Sequence, residues 1–338
     1  MNAMSLTFPR DLISLLRCPE DGATLATAAD CEWEGSGQRL RQGHLACTHC
    51  RAVYPVRDGV VELLGGTRMH EESVREQATR DAISTKLDPL LDDWATDDQR
   101  MEIEPTMEAL KLDPRLTVLE LGCGDGRYTV PLARNARRVL ALDFSMGAIR
   151  VAQRRLESKA NVGFVQADVS RFKVERRAFD RVFSTLTSNL PTPAHREALH
   201  RLAAESLAPQ GRYVGSMHHH GLLEALRRQP KAGHYRNGIF REHFSVSDAA
   251  AQVKPHFREV HVQPVQIYLP LAGRLGISLV KQSRFAEHLP VANRLGKLVL
   301  STASHDPLVA TPVQVRRRAG WVSLALAMGA GMLALDWD

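Results

Sequence analysis

Aromatic residues are scarce in this chain of 338 residues. Phenylalanine, tryptophan and tyrosine together make up 6% of the sequence, and no stripe of lysine and arginine is interleaved with them. Proteins that bind single-stranded nucleic acid use such side chains as stacking platforms. The composition therefore argues against a dedicated nucleic-acid surface and leaves RNA as an alternative partner.

An apolar run long enough to span a bilayer is also missing. The run over residues 321–335 has about 15 residues, whereas a membrane-spanning helix needs roughly 20. Membrane contact through residues 319–335 is one interpretation of this segment, and packing on the core or on another subunit is the other. The first residues lack the layout of a secretion signal, so we expect a cytoplasmic protein. The sequence does not indicate an oligomeric state.

Cysteine is nearly absent after the first 50 residues. Four of the five cysteines lie in that stretch, and Cys123 is the fifth. The rest of the chain has the character of an enzyme from a reducing compartment. The cluster therefore indicates a metal site rather than a disulfide framework.

Length and patterning predict an α/β protein with a small module in front. Apolar residues make up 44% and charged residues 24% of the chain, as in soluble globular proteins. From residue 117 onward, short apolar strands alternate with helical stretches, which is typical of a parallel sheet covered by helices. The predicted strands cover residues 116–121, 138–142, 162–166, 179–184, 212–217, 259–268 and 297–301. The predicted units are a β-rich domain over residues 1–66, a helical linker over 67–104, the main domain over 105–304 and a tail over 305–338.

A glycine-rich turn follows the first strand of the main domain. The segment reads Val-Leu-Glu-Leu-Gly-Cys-Gly-Asp-Gly-Arg over residues 118–127. A dinucleotide-binding turn would place a small residue where Arg127 stands. The spacing is instead G-x-G-x-G over Gly122, Gly124 and Gly126, with Glu120 two residues ahead. This resembles motif I of the class I S-adenosylmethionine-dependent methyltransferases. Within that class, the sequence is similar to the group known as methyltransferase type 11.

The resemblance continues over about residues 105–302 and implies a Rossmann-like, mostly parallel sheet of seven strands with helices on both faces. It implies that S-adenosylmethionine (SAM) is the cofactor. Asp143 ends the second strand, and its carboxylate can accept hydrogen bonds from both ribose hydroxyls. Asp168 and the backbone of Val169 would hold the adenine. The remaining cofactor contacts implied by the resemblance are Glu120, Gly122, Gly124, Gly126, Phe144 and Ser184.

Three consecutive histidines follow the fifth strand, where the acceptor pocket is expected. Histidine has a pKa suited to proton transfer near neutral pH, and we take His218 as the candidate general base. Residues 234–243 lie where a substrate lid is often inserted in this family. Residues 188–191 lack the Pro-Pro-aromatic part of the motif of amino-directed nucleic-acid methyltransferases, which argues against methylation of a base amino group.

The N-terminal segment resembles the zinc-ribbon-like domains that occur as methyltransferase activators or in front of methyltransferases. A full ribbon carries two C-x2-C knuckles that bind zinc with four thiolates. Cys47 and Cys50 form one knuckle, whereas Asp21 stands where the partner of Cys18 is expected. The ligand set for Zn²⁺ is therefore Cys18, Cys47, Cys50 and Asp21. The alternatives for the fourth ligand are Cys31, His44 and His49, and loss of the metal with retention of the fold is a further alternative.

Together these patterns predict methyl transfer from SAM to the O, N or C atom of a small-molecule or lipid-like acceptor. One alternative is an RNA methyltransferase that docks RNA through the N-terminal module. The other is a degenerate methyltransferase that serves as a scaffold.

Overall fold

The computed structural model describes residues 7–64, 69–87, 96–156, 161–187, 190–268, 278–289 and 292–306. The predicted membrane-contacting segment, residues 319–335, lies outside these ranges. Within them, no helix combines the length and the apolar character needed to cross a membrane.

Strands and helices alternate along the main domain as predicted. The strands are β1 (Phe8–Pro9), β2 (Leu25–Thr27), β3 (Glu32–Glu34), β4 (Arg39–Cys47), β5 (Val53–Arg57), β6 (Val60–Glu62), β7 (Thr117–Leu121), β8 (Arg138–Asp143), β9 (Val162–Gln166), β10 (Phe179–Thr185), β11 (Leu207–His218), β12 (Ala232–His234), β13 (Phe240–Glu242), β14 (Glu259–Ile267) and β15 (Gly296–Ser304). The helices are α1 (Arg10–Ile13), α2 (Glu71–Ser84), α3 (Asp97–Leu110), α4 (Thr129–Asn135), α5 (Met146–Arg155), α6 (Pro193–Ser206), α7 (Leu222–Leu226), α8 (Val246–Val253) and α9 (Leu279–Ala286). A 3₁₀ turn precedes β15.

The central sheet has the order β9-β8-β7-β10-β11-β15-β14. The first five of these strands pair in parallel, and β15 is antiparallel to both of its neighbours. Five of the six residues of β8 are buried, as expected for a strand that helices cover on both faces. The prediction of a seven-stranded, mostly parallel, Rossmann-like sheet is confirmed.

The N-terminal β-rich region continues the central sheet at one edge. Strand β6 pairs in parallel with β9, and β5 and β4 follow outward. Phe8 and Leu12 pack against Gly163 of β9 so closely that a Cβ there would lie 2.7 Å from the Phe8 ring. The N-terminal region and the central sheet therefore share one hydrophobic core.

The predicted helical linker contains α2 and most of α3. Helix α2 packs on α5 because Asp81 accepts hydrogen bonds from the Ser145 hydroxyl (2.5 Å) and from the Gly147 amide (2.8 Å). Ser145 in turn caps α5 by accepting from the Ala148 amide. The linker is thereby fixed over the end of β8, where the cofactor site is predicted.

Candidate active site

The glycine turn after β7 uses its three glycines in different ways. All three have positive φ angles, which favour glycine. A Cβ at Gly122 would lie 2.4 Å from the Thr187 hydroxyl, and one at Gly126 would lie 2.8 Å from the Cβ of Ala152. A Cβ at Gly124 would meet nothing within 4 Å. Gly124 is therefore the glycine of this turn that faces open space.

That open space is a cavity of about 280 Å³ at the carboxyl ends of the parallel strands. Ligands of open α/β sheets bind at this edge. The cavity is lined from the sheet by the turn after β7, the ends of β8 and β9 and the residues after β10, and from outside by α2 and α3. The predicted residues that line it are Gly122, Gly124, Asp143, Phe144, Asp168 and Val169.

Asp143 is buried beside the glycine turn. Its Oδ2 accepts a hydrogen bond from the Gly124 amide (2.8 Å), and its Oδ1 accepts one from the Ser145 amide (2.9 Å). Burial raises the pKa of Asp143, while these amides and the nearby Arg80 oppose the increase. Each carboxylate oxygen retains a further lone pair, so Asp143 can still accept from two ligand hydroxyls.

Asp168 lies at the next strand end and caps its own turn. Its Oδ1 accepts from both the amide (2.9 Å) and the hydroxyl (2.7 Å) of Ser170. Val169 beside it is buried and borders the cavity. Phe144 contributes its backbone to the packing of α2, since its carbonyl accepts from the Gln77 amide group (2.6 Å).

Three predicted cofactor residues are not brought to the cavity wall. Gly126 packs against Ala152, and Ser184 is buried in β10, one residue before Thr185, which does line the cavity. The buried Glu120 carboxyl accepts a hydrogen bond from the Thr129 hydroxyl (2.7 Å) on the first turn of α4. Burial raises the pKa of Glu120 to about 8. The contacts of Glu120 thus join strand and helix, and a cofactor contact at these three positions stays a prediction.

We predict that Glu120→Gln stabilises the protein most at alkaline pH. The folded chain retains a proton on Glu120 that the unfolded chain releases, so stability falls between the unfolded and the folded pKa, by about 1.4 kcal/mol per pH unit for this group. The glutamine variant should lose this slope. Thermal unfolding of both proteins from about pH 5 to about pH 8.5 measures it. Parallel curves for the two proteins would contradict the prediction.

Three charged residues on helices line the cavity but were not predicted from the sequence. The same holds for the two residues that follow the glycine motif. Glu102 on α3 accepts from the Tyr128 hydroxyl (2.8 Å) and pairs with Arg127 (3.2 Å), and all three line the cavity. On α2, Arg80 pairs with Glu76 (2.8 Å) at the same wall. The pairing of Glu76 with Arg80 four residues later was visible in the sequence, but nothing local placed it on this cavity.

The three histidines after β11 have separate environments. His219 is buried, with its Nδ1 2.7 Å from the Gly296 carbonyl oxygen, and His220 lies 3.0 Å from the Gln229 carbonyl oxygen. His218 instead meets the β12–β13 hairpin, where its ring stacks on His243 with centroids 5.3 Å apart. Burial lowers the pKa of His218 to about 4, and the cations nearby contribute to this shift. His218 does not line the cofactor cavity, and its role as a base stays a prediction.

The four predicted metal ligands converge in the N-terminal region. One ligand atom from each of Cys18, Asp21, Cys47 and Cys50 lies within 4.8 Å of the others. The sulfur atoms of Cys18 and Cys50 are 3.6 Å apart, and the Cys47 sulfur is 3.4 Å from Asp21 Oδ1. A tetrahedral zinc site with ordinary bond lengths requires roughly 3.8 Å between two sulfurs and roughly 3.5 Å between sulfur and oxygen. The spacing therefore fits zinc.

The alternative fourth ligands take other positions. His49 lies outside the four-residue cluster, and its Nδ1 is 2.9 Å from Asp21 Oδ2. His44 pairs with Asp30, and Cys31 donates to the His44 carbonyl. Asp21 is thus the candidate fourth ligand that lies with the three cysteines. His49 contacts the Asp21 carboxylate and can orient it.

A family model described as a methyltransferase domain matches residues 118–211. This segment runs from β7 through the glycine turn to β11. A solved structure described as "DhpI-SAM-HEP complex" has a TM-score of 0.50 and 19% identity, and the match covers 71% of this chain and 100% of that one. The family model thus supports the methyltransferase resemblance that the glycine turn predicts, and the solved structure shows that the chain shares its fold.

Curated relatives match over shorter stretches. A probable ribosomal RNA small subunit methyltransferase A from Methanosarcina mazei is 33% identical over 84 residues, which cover 25% of this chain and 30% of the relative. A phosphoethanolamine N-methyltransferase from Triticum aestivum is 31% identical over 129 residues, which cover 38% of this chain and 25% of the relative. The chain thus spans less than two thirds of the length of either protein.

Proposed function

We propose that the protein binds SAM in the cavity at the ends of β7, β8 and β9 and transfers its methyl group to a small-molecule acceptor. The observation that carries this proposal is the pairing of Gly124 with Asp143. Gly124 presents backbone with no side chain, and the buried carboxylate of Asp143 lies directly beside it. A nucleoside ligand needs both features, one for close approach and one for its ribose hydroxyls.

The remaining cavity walls fit the other parts of the cofactor. Asp168 and Val169 would hold the adenine at the end of β9. Arg80 and Arg127 supply cations on opposite elements, each paired with a glutamate. Such cations would face the carboxylate of the methionine part. The cavity would thus offer acceptors for the ribose and the adenine and cations for the methionine carboxylate.

The chain's contribution to the reaction is mainly positioning. SAM supplies a methyl group that its sulfonium already activates for transfer. The residues around it have to align an acceptor atom and exclude water, and alignment alone can lower a barrier by several kcal/mol. Helix α2 covers the cavity through Gln77 and Asp81, which tie it to the end of β8 and the start of α5.

The charge pattern favours a small acceptor over RNA. Three segments of the sequence are rich in arginine, residues 134–138, 150–155 and 171–177. Arginines of each segment form ion pairs, for example Arg138 with Asp11, Arg150 with Asp58 and Arg171 with Glu20. Nucleic-acid surfaces need cations that are free to replace counterions on phosphates. Pairing of these arginines leaves less free charge than the sequence suggests. RNA, which the name of the Methanosarcina mazei relative mentions, is the second candidate acceptor.

Calorimetric titration with S-adenosylhomocysteine (SAH), the demethylated product, tests the proposal. We expect one SAH site per chain with the saturable heat signal of specific binding. In a parallel arm, RNA binding is measured at low salt, where phosphate contacts are strongest, and we expect none that depends steeply on salt. Folded protein that does not bind SAH would contradict the cofactor assignment. Salt-dependent RNA binding would instead favour RNA as the acceptor of the methyl group.

We also propose that Cys18, Asp21, Cys47 and Cys50 hold a structural zinc ion. The support is the four-ligand geometry, which leaves no position open for a substrate, as in structural zinc sites. The Cys18 sulfur also lies 3.1 Å from the Tyr54 hydroxyl, which adds a contact behind the ligands. The ion would fasten the N-terminal region that continues the central sheet.

A further inference from the structure

The β12–β13 hairpin contacts residues that lie next to the cavity lining. Glu242 pairs with Arg196 (2.7 Å), and Arg196 donates to the carbonyl of Leu190 (2.9 Å), which lines the cavity. At the other end of the hairpin, His234 lies 3.4 Å from Glu72, the neighbour of the cavity residue Ser73 on α2. The hairpin is thus held against two elements of the cavity wall.

Side chains of this hairpin form a group of hydrogen-bond donors together with the end of β11. The Arg241 guanidinium lies over the Tyr235 ring at 5.5 Å, and its Nη1 is 3.5 Å from Nε2 of His243. His243 stacks on His218, whose Nε2 is 3.4 Å from the Tyr235 hydroxyl. We name these four residues, His218, Tyr235, Arg241 and His243, the hairpin cluster.

The hairpin cluster lacks a negative charge of its own. No carboxylate in the described part of the chain forms an ion pair with Arg241. Its Nε is buried and, among the described residues, has no hydrogen-bond partner. Among nearby acids, Glu224 is the one whose charge raises the pKa of His243. Its Oε2, however, accepts a hydrogen bond from the Gly221 amide (3.0 Å) and so caps α7. A half-buried guanidinium with an unused donor is costly unless an anion meets it.

The cluster is connected to the end of the sheet that faces the cofactor. Leu186, which lines the cavity, donates its amide to the carbonyl of Ser216 (3.0 Å). His218 follows two residues later on the same strand. A ligand held by the hairpin cluster would therefore lie near the end of β11, two residues beyond the strand position that contacts the cavity residue Leu186.

We propose that the hairpin cluster binds an oxyanion group of the acceptor, a phosphate or a carboxylate, and so orients the acceptor toward the cofactor. This inference rests on the proposed methyl transfer and narrows its acceptor to an anionic small molecule. Arg241 provides the planar, charged donor fork that matches the oxygens of either group. Tyr235 and the two imidazoles provide further donors around it.

The electrostatics of the two histidines agree with an anion site. Burial and the neighbouring cations lower the pKa of His218 and of His243 in the free protein. The charged groups that face them are Arg241, Glu224 and His220, together with each other. An anion between them would raise the pKa of both imidazoles, because it favours their protonated forms.

The test uses inorganic phosphate and acetate as probes, titrated at constant ionic strength into the wild-type full chain, with and without saturating SAH. The same titrations are made on Arg241→Gln and on Arg236→Gln, a matched control on the exposed turn of the same hairpin. We expect saturable binding of one probe, weakened about tenfold or more in Arg241→Gln and unchanged in Arg236→Gln. Which probe binds distinguishes a phosphate from a carboxylate.

NMR of the histidine side chains locates the site. We expect bound probe to shift the His218 and His243 ring signals and to raise their pKa, and Tyr235→Phe to weaken the same probe. Failure of both probes to saturate the wild type, or equal binding by Arg241→Gln, would overturn the inference. Each variant is also titrated with SAH, and unchanged SAH affinity shows that its cofactor site is folded. If the wild type itself does not bind SAH, that result counts against the proposed function rather than against the anion site.

Discussion

Replacing Asp143 by alanine should lower the affinity for SAH by about 100-fold or more. Two hydrogen bonds from ribose hydroxyls to a carboxylate contribute about 1.5–3 kcal/mol each, and both are lost together. The substitution also removes the acceptor of the Gly124 amide, a hydrogen bond that helps to position the glycine turn. Calorimetric titration of the wild type and the variant with SAH measures the difference.

Two further variants separate the charge of Asp143 from its structural contacts. Asp143→Asn keeps an acceptor oxygen for a backbone amide but carries no charge, so we expect an intermediate loss of SAH affinity. Asp113→Asn removes a charge near the opposite end of β7, where Asp113 contacts Arg115, and should bind SAH like the wild type. Wild-type affinity in both Asp143 variants would exclude the ribose role.

The pH dependence of SAH binding follows from the same residue. Burial raises the pKa of Asp143. Only the ionised form of this carboxyl group has both oxygens free of a proton, so only that form can accept from both ribose hydroxyls. SAH affinity should therefore fall as the pH is lowered through this raised pKa. The dependence should be absent from Asp143→Asn, which cannot titrate.

The strands around the glycine turn could be predicted almost to the residue. Strands such as β9 are buried in a parallel sheet, and a short apolar run between helices has few other structures available to it. Strand β11 is longer than predicted, since it begins at Leu207, directly after α6, and meets Phe179 across a register shift. That extension depends on pairing with β10, which leaves no periodic pattern in the sequence.

The glycine spacing predicted a tight turn after β7 but not the contact that each glycine makes. Gly124 faces the cavity, whereas Gly126 and Gly122 are needed for contacts with Ala152 and Thr187, which are distant in sequence. The same limit explains why α2 was predicted only as a linker helix. Its contact with the end of β8 runs from Asp81 to Ser145, and nothing within either segment signals it.

The continuity of the sheet across the predicted domain boundary has a similar origin. The N-terminal strands were predicted as a separate small domain because their composition changes near residue 66. Their docking depends on β6 pairing with β9, about a hundred residues later, with Val61 opposite Val165. The shared core means that whatever holds the N-terminal region also supports the edge of the cofactor-binding sheet.

That shared core makes zinc removal the second large effect that we expect. The purified wild type should contain about one zinc ion per chain, and Cys47→Ser should contain none. Structural zinc sites contribute folding free energy directly, so the midpoint of thermal unfolding should fall by about 5–10 °C. Metal analysis and thermal unfolding, with and without a chelator, measure both quantities. Cys31→Ser, whose sulfur lies outside the four-residue cluster, should keep the zinc and the stability of the wild type.

The role of Asp21 distinguishes a ribbon-like site that binds zinc from one that has lost the metal and kept the fold. If its carboxylate is the fourth ligand, Asp21→Ala should bind zinc more weakly, and Asp21→Cys should bind it at least as well as the wild type because four thiolates complete the tetrahedron. SAH binding should fall with zinc loss as well, since β6 pairs with β9, and the residues that follow β9 line the cavity where we propose that the adenine binds. Wild-type protein that holds no zinc, and whose stability a chelator does not change, would show instead that packing around residues such as Leu45 and Tyr54 maintains the N-terminal region alone.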